Sequence, residues 1–190
     1  MPRDAILTLG HSNHPVERFK ELLAESDVDV LVDVRSWPRS RYVDWADRAS
    51  LPDTVAAVNV KYLFLGDQLG GRPDDGSFYD REGHVLYGKV AKTEDFRAGI
   101  ERLKRGISQW RVAIMCSEEN PEHCHRRLLV AKVLLEEGIA VTHIRGDGRQ
   151  EAEPGPIDLS AGVLFADEER VWRSSRSVSR KRPPKTSLAA

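Results

Sequence analysis

The chain has 190 residues, of which 40% are hydrophobic and 31% are charged, and its formal net charge is −1. This length suits one domain with a sizeable core, and the composition is typical of a globular protein. No apolar run approaches the ~18 residues of a membrane span, and the amino-terminal segment lacks the long apolar run of a signal peptide. We therefore expect a cytoplasmic protein whose cysteines stay reduced, without a structural disulfide.

Strand-like and helix-like stretches alternate along the chain. In chain order, the strand AILTLG precedes the helical pattern HPVERFKELLAESD, and the Val-rich strand VDVLVDVR precedes the weaker helix SLPDTVAAV. The strand VKYLFLG is followed, after a long insertion, by the amphipathic pattern TEDFRAGIERLKRGI. The strand WRVAIMC, the helix PEHCHRRLLVAKVLLEEG and the strand AVTHIR complete the series. Such alternation predicts a three-layer α/β domain with a central, mainly parallel sheet.

Polar residues concentrate where these strands end. The stretches that follow the strands are GHSNHP, DVRSWPRS, GDQLGG, CSEENPEHCHR and HIRGDGR, whereas the opposite turns AESDVD and KRGISQ are less dense in them. Ligands of parallel sheets bind beyond the carboxyl ends of the strands, so we expect one polar site at this edge. The long insertion, residues 67–89, is expected to border the same cleft.

The residue types at this edge predict acid–base chemistry on an anion. His11 and His125 are candidates for proton transfer because imidazole titrates near neutrality, and Asp33 and Glu118 could orient an imidazole or act as acid or base. Two strand-to-helix turns, with Pro15 and Pro121 at the helix starts, offer free backbone N–H groups to an anion.

Two arginines and two cysteines extend this prediction. Arg35 and Arg126 could donate in pairs to phosphate or carboxylate, although both could also be ordinary surface arginines. Cys116 ends a strand at the polar edge, where an imidazole, an arginine or a helix terminus could activate its thiol. Cys124 shares a helical stripe with Leu128 and is expected to be buried.

Zinc is the alternative for this segment. The soft ligands it offers are Cys116, His123, Cys124 and His125, with His11 or His143 as possible additions. However, Cys124 and His125 would point about 100° apart on a helix. No second short Cys or His pair accompanies them either. The sequence therefore predicts no metal and no other cofactor, with zinc kept as the alternative.

The carboxyl-terminal segment differs in composition. From Arg170 onward there are seven Lys or Arg and no acid, so residues 1–169 carry a net charge of −8. We expect a single α/β domain over residues 1–169 and a basic, disordered tail over residues 170–190. The tail could bind nucleic acid through its phosphates or act only as a solubilising segment.

Five of these motifs together resemble a known family. LTLGHSNHPVERF, LVDVRSWPRSR, YLFLGDQLGGR, IMCSEENPEHCHR and VTHIRGDG are similar, in this order and over roughly residues 5–148, to the bacterial domain of unknown function 488. The resemblance implies a three-layer α/β domain and carries no secure activity. The positions that it marks are His11, Ser12, Asp33, Arg35, Gly70, Gly71, Cys116, Glu118, Cys124, His125 and Arg126.

A weaker likeness is to rhodanese-type domains. VLVDVR, AIMCSEE and GIAVTHIRGDG look like the corresponding strands of those domains and would make Cys116 a sulfur carrier.

Three functions remain open at this point. The leading one is an enzyme that acts on an anionic, phosphate-bearing substrate, a nucleotide or nucleic acid, with the catalytic residues His11, Asp33, Cys116, Glu118 and His125. Its substrate would be bound by Ser12, Arg35, Gly70, Gly71 and Arg126, with the glycines allowing close backbone approach. The alternatives are a non-catalytic nucleic-acid-binding module and a thiol redox or sulfurtransferase-like protein that uses Cys116.

Overall fold

A central sheet of six strands organises the structure, a computed structural model that describes residues 5–157 and 172–178. The strands are β1 (Ala5–Gly10), β2 (Val30–Asp33), β3 (Lys61–Phe64), β4 (Val112–Cys116), β5 (Ala140–Ile144) and β6 (Gln150–Ala152). Their order across the sheet is β3-β2-β4-β1-β5-β6. The first five strands are parallel, and β6 pairs with β5 in the antiparallel direction.

Helices cover both faces of the sheet. They are α1 (Val16–Glu25), α2 (Leu51–Ala56), α3 (Gly66–Leu69), α4 (Tyr87–Val90), α5 (Glu94–Ile107) and α6 (Lys132–Glu136). The longest, α5, is capped by Thr93, whose hydroxyl accepts a hydrogen bond from the Phe96 N–H. No helix in the described part of the chain is both long and apolar enough to cross a membrane.

The core has two halves, one on each side of the sheet. Phe19 of α1 and Leu51 of α2 pack with Leu31 of β2 on one face. Phe96 of α5 and Leu134 of α6 pack with strand residues on the other face. Successive strand residues alternate between the halves because side chains of a strand point to opposite faces. The prediction of a three-layer α/β domain with a mainly parallel sheet is confirmed.

The strand order places a topological switch point at the centre of the sheet. The chain leaves β1 toward β2 on one side, whereas it leaves β4 toward β5 on the other side. Since β1 and β4 are neighbours, their carboxyl ends flank the crevice in which open α/β sheets bind ligands. The residues that follow Gly10 and Cys116 therefore occupy the favoured position for a site.

The segment after β4 is not the continuous helix that the sequence predicts. A 3₁₀ turn at Pro121–His123 ends at Cys124, which is extended at φ −93° and ψ 141°. A π-helical stretch at Arg126–Ala131 then leads into α6. The π-helix is rare and is found frequently at functional sites. The break at Cys124 decides where the neighbouring side chains point.

Residues 172–178, which lie within the segment predicted as a tail, pack on the domain. The Trp172 indole N–H donates to the Leu128 carbonyl at 2.7 Å, and the buried Ser174 exchanges hydrogen bonds with the Val85 backbone. Arg173 pairs with Asp80 at 2.5 Å. The apolar surface of Trp172 and these satisfied backbone groups explain the packing. The remainder of the predicted tail lies outside the described residues.

Candidate functional site

The polar residues at the carboxyl edge of the sheet form two clusters, one on each face. Side chains two residues apart along a strand point to the same face of the sheet. His11 therefore lies on the face of Leu9, and Asp33 on the face of Leu31, which is the face covered by α1 and α2. Cys116 lies on the face of Ile114, which is covered by α5 and α6. We call His11, Asp33, Arg35 and Tyr62 the arginine cluster, and Cys116, Cys124 and His125 the cysteine cluster. The residues predicted to form one site thus share an edge but belong to two constellations.

An ion pair occupies the centre of the arginine cluster. Arg35 Nε donates to Asp33 Oδ1 at 2.9 Å, and Arg35 Nη2 donates to Asp33 Oδ2 at 2.6 Å. The same Nη2 donates to the Ala46 carbonyl at 2.7 Å, and the Tyr62 hydroxyl donates to Asp33 Oδ2 at 3.0 Å. Both members of the pair are buried. This geometry favours a structural role for Asp33 and Arg35, which sequence analysis placed in catalysis and substrate binding.

His11 is held as a neutral imidazole. Arg35 Nη1 lies 3.1 Å from His11 Nε2, and guanidinium groups only donate, so Nε2 accepts. His11 Nδ1 therefore carries the proton and donates to the Ser12 carbonyl at 2.8 Å. Burial, reinforced by the positive charge of Arg35, lowers the pKa of His11 from 6.5 to about 4. The lone pair on Nε2, which a general base would need, already accepts the hydrogen bond from Arg35.

The cysteine cluster places two sulfurs around one imidazole nitrogen. Cys116 Sγ lies 3.5 Å from His125 Nδ1, and Cys124 Sγ lies 4.0 Å from the same atom. His125 Nε2 lies 2.9 Å from the Val34 carbonyl, which can only accept, so Nε2 carries a proton. Nδ1 is thereby the nitrogen that exchanges a proton with the sulfurs. Both cysteines are free and buried, as predicted for Cys124.

Electrostatics separate the two thiols. The Cys124 hydrogen bond lowers the pKa of Cys116 against the opposing effect of burial, and the charges of His125 and Arg126 lower it further. Burial raises the pKa of Cys124, and the neighbouring Cys116 raises it again. Burial alone would lower the pKa of His125, but the charge and hydrogen bond of Cys116 raise it overall. These contacts lower the pKa of Cys116 relative to that of Cys124 and raise the pKa of His125 above that of a free imidazole.

Arg126 anchors the loop that follows Cys116. Its buried guanidinium donates to the Glu118 carbonyl, to the Glu119 carbonyl at 2.5 Å and to Thr8 Oγ1 at 3.3 Å. A Cβ at Gly10 would lie 1.8 Å from the Glu118 carbonyl oxygen, so the loop passes directly over this glycine. The N–H groups of Arg126 thus donate to atoms of the protein itself, and not to a bound anion as predicted from the sequence.

The two predicted glycines bring the long loop close to the cysteine cluster. A Cβ at Gly71 would lie 2.5 Å from Cγ of the His125 ring, and a Cβ at Gly70 would lie 2.3 Å from Ser36 Oγ. Real Cβ atoms essentially never approach so closely, so a side chain at either position would force a shift. The loop therefore covers the imidazole of His125. Gly71 borders the cysteine cluster, whereas Gly70 packs against Ser36.

A separate cleft of about 440 Å³ opens at the switch point, beyond β1 and β4. The residues that line it are His11, Ser12, Asn13, Arg39, Ser40, Arg41, Tyr42, Ser117 and Glu118. Ser12 adopts a left-handed conformation at φ 46°, which turns the chain sharply around the cleft. The site predicted from the sequence includes Ser12 and Glu118 but not Arg39 or Tyr42. The stretch SWPRSRY, directly after a predicted strand, is the signal that could have found them.

The cysteine cluster can also hold a metal ion. Its two sulfurs and the imidazole nitrogen all lie within 4.8 Å of one another. The helical geometry that argued against zinc does not exist at this point, because Cys124 is extended and does not belong to a helix. Adjacent side chains of Cys124 and His125 consequently face the same point.

Comparison with known proteins gives one match. The model of a family described as "Domain of unknown function DUF488" matches residues 15–133. No curated protein and no solved structure was found to match the chain.

Proposed function

We propose that this chain, which belongs to the DUF488 family, is an enzyme that uses Cys116 for thiol–disulfide exchange. The family description carries no activity, so the proposal rests on the site. One observation carries it: Cys116 Sγ lies 3.5 Å from His125 Nδ1, and a second thiol lies beside the same nitrogen. A cysteine in contact with a histidine whose other ring nitrogen is fixed by a hydrogen bond is the arrangement of an activated sulfur nucleophile.

The first step is an attack of the Cys116 thiolate on one sulfur of a substrate disulfide. A sulfur–sulfur bond forms between Cys116 and that sulfur, and the substrate's own sulfur–sulfur bond breaks. The departing sulfur takes a proton from His125 Nδ1 and leaves as a thiol. Because Val34 holds Nε2, the proton that moves is the one on Nδ1.

The second step uses Cys124. Its thiol loses its proton to His125 and its sulfur attacks Cys116, which lies within 4.8 Å, so that the second half of the substrate leaves as a thiol. The substrate disulfide gains two electrons, and Cys116 and Cys124 lose two in forming a disulfide. Two molecules of a low-molecular-weight thiol then reduce this disulfide and restore the enzyme.

The burial of both sulfurs favours a small substrate over a protein disulfide. His125 is partly exposed, so the cluster meets solvent on the side of the imidazole, and Gly71 packs beside this opening. Gly71 and its loop would therefore control access to the sulfurs.

Alkylation of the native protein tests this function. In the presence of a metal chelator, we expect iodoacetamide to modify Cys116 at least about tenfold faster than Cys124, because a thiolate is the reactive form. Peptide mass spectrometry reports the two rates separately. His125→Gln should reduce the difference, because it removes one of the contacts that lower the pKa of Cys116, whereas His123→Gln, which removes an exposed histidine of the same segment, should preserve it.

Measurements of catalytic turnover test the separate roles of Cys116 and Cys124. Cys116→Ser should abolish reduction of bis(2-hydroxyethyl) disulfide, and Cys124→Ser should stop the reaction at a mixed disulfide on Cys116. Full turnover by Cys124→Ser would mean that the external thiol, and not Cys124, resolves the mixed disulfide on Cys116. Equal alkylation of both cysteines in the wild type would rule out the proposed role of Cys116.

A second candidate function is supported by the cleft at the switch point. Arg39 and Arg41 are exposed there, and neither forms an ion pair within the part of the chain that the structure describes. Tyr42 is 85% exposed beside them and offers a ring on which a base can stack. A phosphate-bearing ligand, with a nucleotide favoured, suits this combination of charge, aromatic surface and volume. The anion would thus be bound by Arg39 and Arg41, not by Arg35 and Arg126.

Ligand-induced stabilisation tests this candidate. Adenosine 5′-monophosphate should raise the melting temperature of the wild type, since a ligand at 100 times its Kd stabilises the folded state by about 2.7 kcal/mol. The double variant Arg39→Ala, Arg41→Ala should lose this shift. Arg97→Ala, Arg105→Ala removes two exposed arginines of α5 and should keep it. The candidate fails if neither the nucleotide nor inorganic phosphate shifts the wild type.

A further inference from the structure

The donor atoms of the cysteine cluster have the spacing of a tetrahedral metal site. A Zn–S bond of about 2.3 Å and a Zn–N bond of about 2.0 Å, at a tetrahedral angle, set sulfur and nitrogen about 3.5 Å apart. The two sulfur–nitrogen distances observed are 3.5 Å for Cys116 and 4.0 Å for Cys124. Shifts of a few tenths of an ångström would therefore bring each sulfur to this spacing from the nitrogen, and the two sulfurs lie within 4.8 Å of each other.

The backbone conformation alone brings these three donor atoms together, before any metal binds. Cys116 ends β4, and Cys124 is extended between the 3₁₀ turn and the π-helical stretch. The side chain of Cys124 can thus turn toward Cys116 while the next residue, His125, reaches the same point.

The surroundings of His125 match those of a metal-bound histidine. Its Nε2–H donates to the Val34 carbonyl at 2.9 Å, which leaves Nδ1 for the ion and fixes the plane of the ring. Metal-binding histidines almost always donate their other N–H to a carbonyl, carboxylate or water in this way. Gly71, packed against the ring, prevents it from rotating away.

Ligand chemistry selects the ion. Two cysteine sulfurs and one imidazole are soft or borderline donors, which favour zinc over magnesium or calcium. Three protein ligands also leave the fourth position of a tetrahedral ion open, as in catalytic zinc sites.

We propose that Zn²⁺ binds to Cys116 Sγ, Cys124 Sγ and His125 Nδ1, and that its occupancy regulates the chain by blocking Cys116. The regulatory consequence rests on the proposed thiol–disulfide function, whereas metal binding itself does not. In the metal-bound form the electron pair of the Cys116 sulfur is shared with the ion, and disulfide exchange stops. Removal of the ion returns the cluster to its reactive form.

Cobalt substitution tests the binding. The full chain, stripped with chelator and kept reduced with a phosphine, should bind one Co²⁺ and show the sulfur-to-cobalt charge-transfer bands and intense visible bands of tetrahedral coordination. Added Zn²⁺ should displace the cobalt and remove these bands. Absence of any such spectrum, with Zn²⁺ also failing to bind, overturns the metal site.

Variants assign the ligands. Cys124→Ser and His125→Gln should each weaken Zn²⁺ binding by more than the roughly 10- to 100-fold that loss of an outer partner causes. His123→Ala, two residues from His125 and exposed, should bind as the wild type does. Competition with a zinc-binding dye measures the affinity of the wild type and of each variant. Unchanged affinity in both ligand variants overturns the assignment.

A third measurement separates this inference from the proposed function. One equivalent of Zn²⁺ should slow alkylation of Cys116 at least about tenfold, and chelator should restore it. If Zn²⁺ fails to bind while Cys116 still reacts selectively in chelator, the metal site is wrong and the thiol function stands. If Zn²⁺ binds through these ligands while neither cysteine reacts selectively in chelator, the thiol function is wrong and the metal site stands.

Discussion

Asp33→Asn should lower the free energy of unfolding by about 3 to 5 kcal/mol, the usual cost of removing one partner from a buried ion pair. Asp33 accepts two hydrogen bonds from the Arg35 side chain, and both residues lie within the core. The neutral amide would leave the guanidinium of Arg35 buried without a counter-charge. The Tyr62 hydroxyl would lose its charged acceptor as well. Urea denaturation, followed by fluorescence and by circular dichroism, measures the change.

An exposed ion pair provides the matched control. Asp147 lies 2.6 Å from Arg149 on the surface, so Asp147→Asn makes the same chemical change where water can replace the partner. We expect its urea midpoint to stay close to that of the wild type. If Asp33→Asn were no more destabilising than Asp147→Asn, the ion pair would not stabilise the arginine cluster, and a catalytic role for Asp33 would regain support.

The layers of the fold could be predicted because short-range patterns determine them. The apolar runs around Leu31 and Ile114 are long enough for strands and too short for helices, and the stripe of Phe96, Ile100 and Leu103 has helical spacing. Asp33 pairs with Met115, so Asp33 and Cys116 point to opposite faces of the sheet. The sequence could not show this division, because both strands are apolar on both faces and only the register between them relates their side chains.

The partners of Arg126 and the conformation of Cys124 could not be predicted in this way. Arg126 binds the carbonyls of Glu118 and Glu119, and every residue has a carbonyl, so no residue type signals such an acceptor. The helical pattern after Pro121 hides the break at Cys124, because Leu128 and Leu134 keep an apolar face across it. Arg126, which holds the loop beneath this break, shows that long-range contacts and not local propensity determine the turn.

Stability should also fall as pH is lowered from 7 to 4, and His11 should account for about 3 kcal/mol of the loss. Its pKa is about 4 in the folded chain, against 6.5 for an unperturbed histidine. Because the folded-state pKa is the lower one, the unfolded chain binds the additional proton between these values, and protonation favours unfolding there. The contribution of His11 is complete above pH 6.5 and is lost toward pH 4, since each pKa unit corresponds to about 1.4 kcal/mol.

The variant His11→Gln isolates this contribution. A glutamine can accept from Arg35 and donate to the Ser12 carbonyl as the neutral imidazole does, but it does not titrate. The difference between the free energies of unfolding at pH 7 and pH 4, measured in chelator, should therefore be about 3 kcal/mol smaller in His11→Gln than in the wild type. His123→Gln controls for the loss of a histidine elsewhere. An equal pH dependence in His11→Gln and the wild type would mean that His11 is not held neutral by Arg35, and its nitrogen would again be a candidate general base beside the cleft.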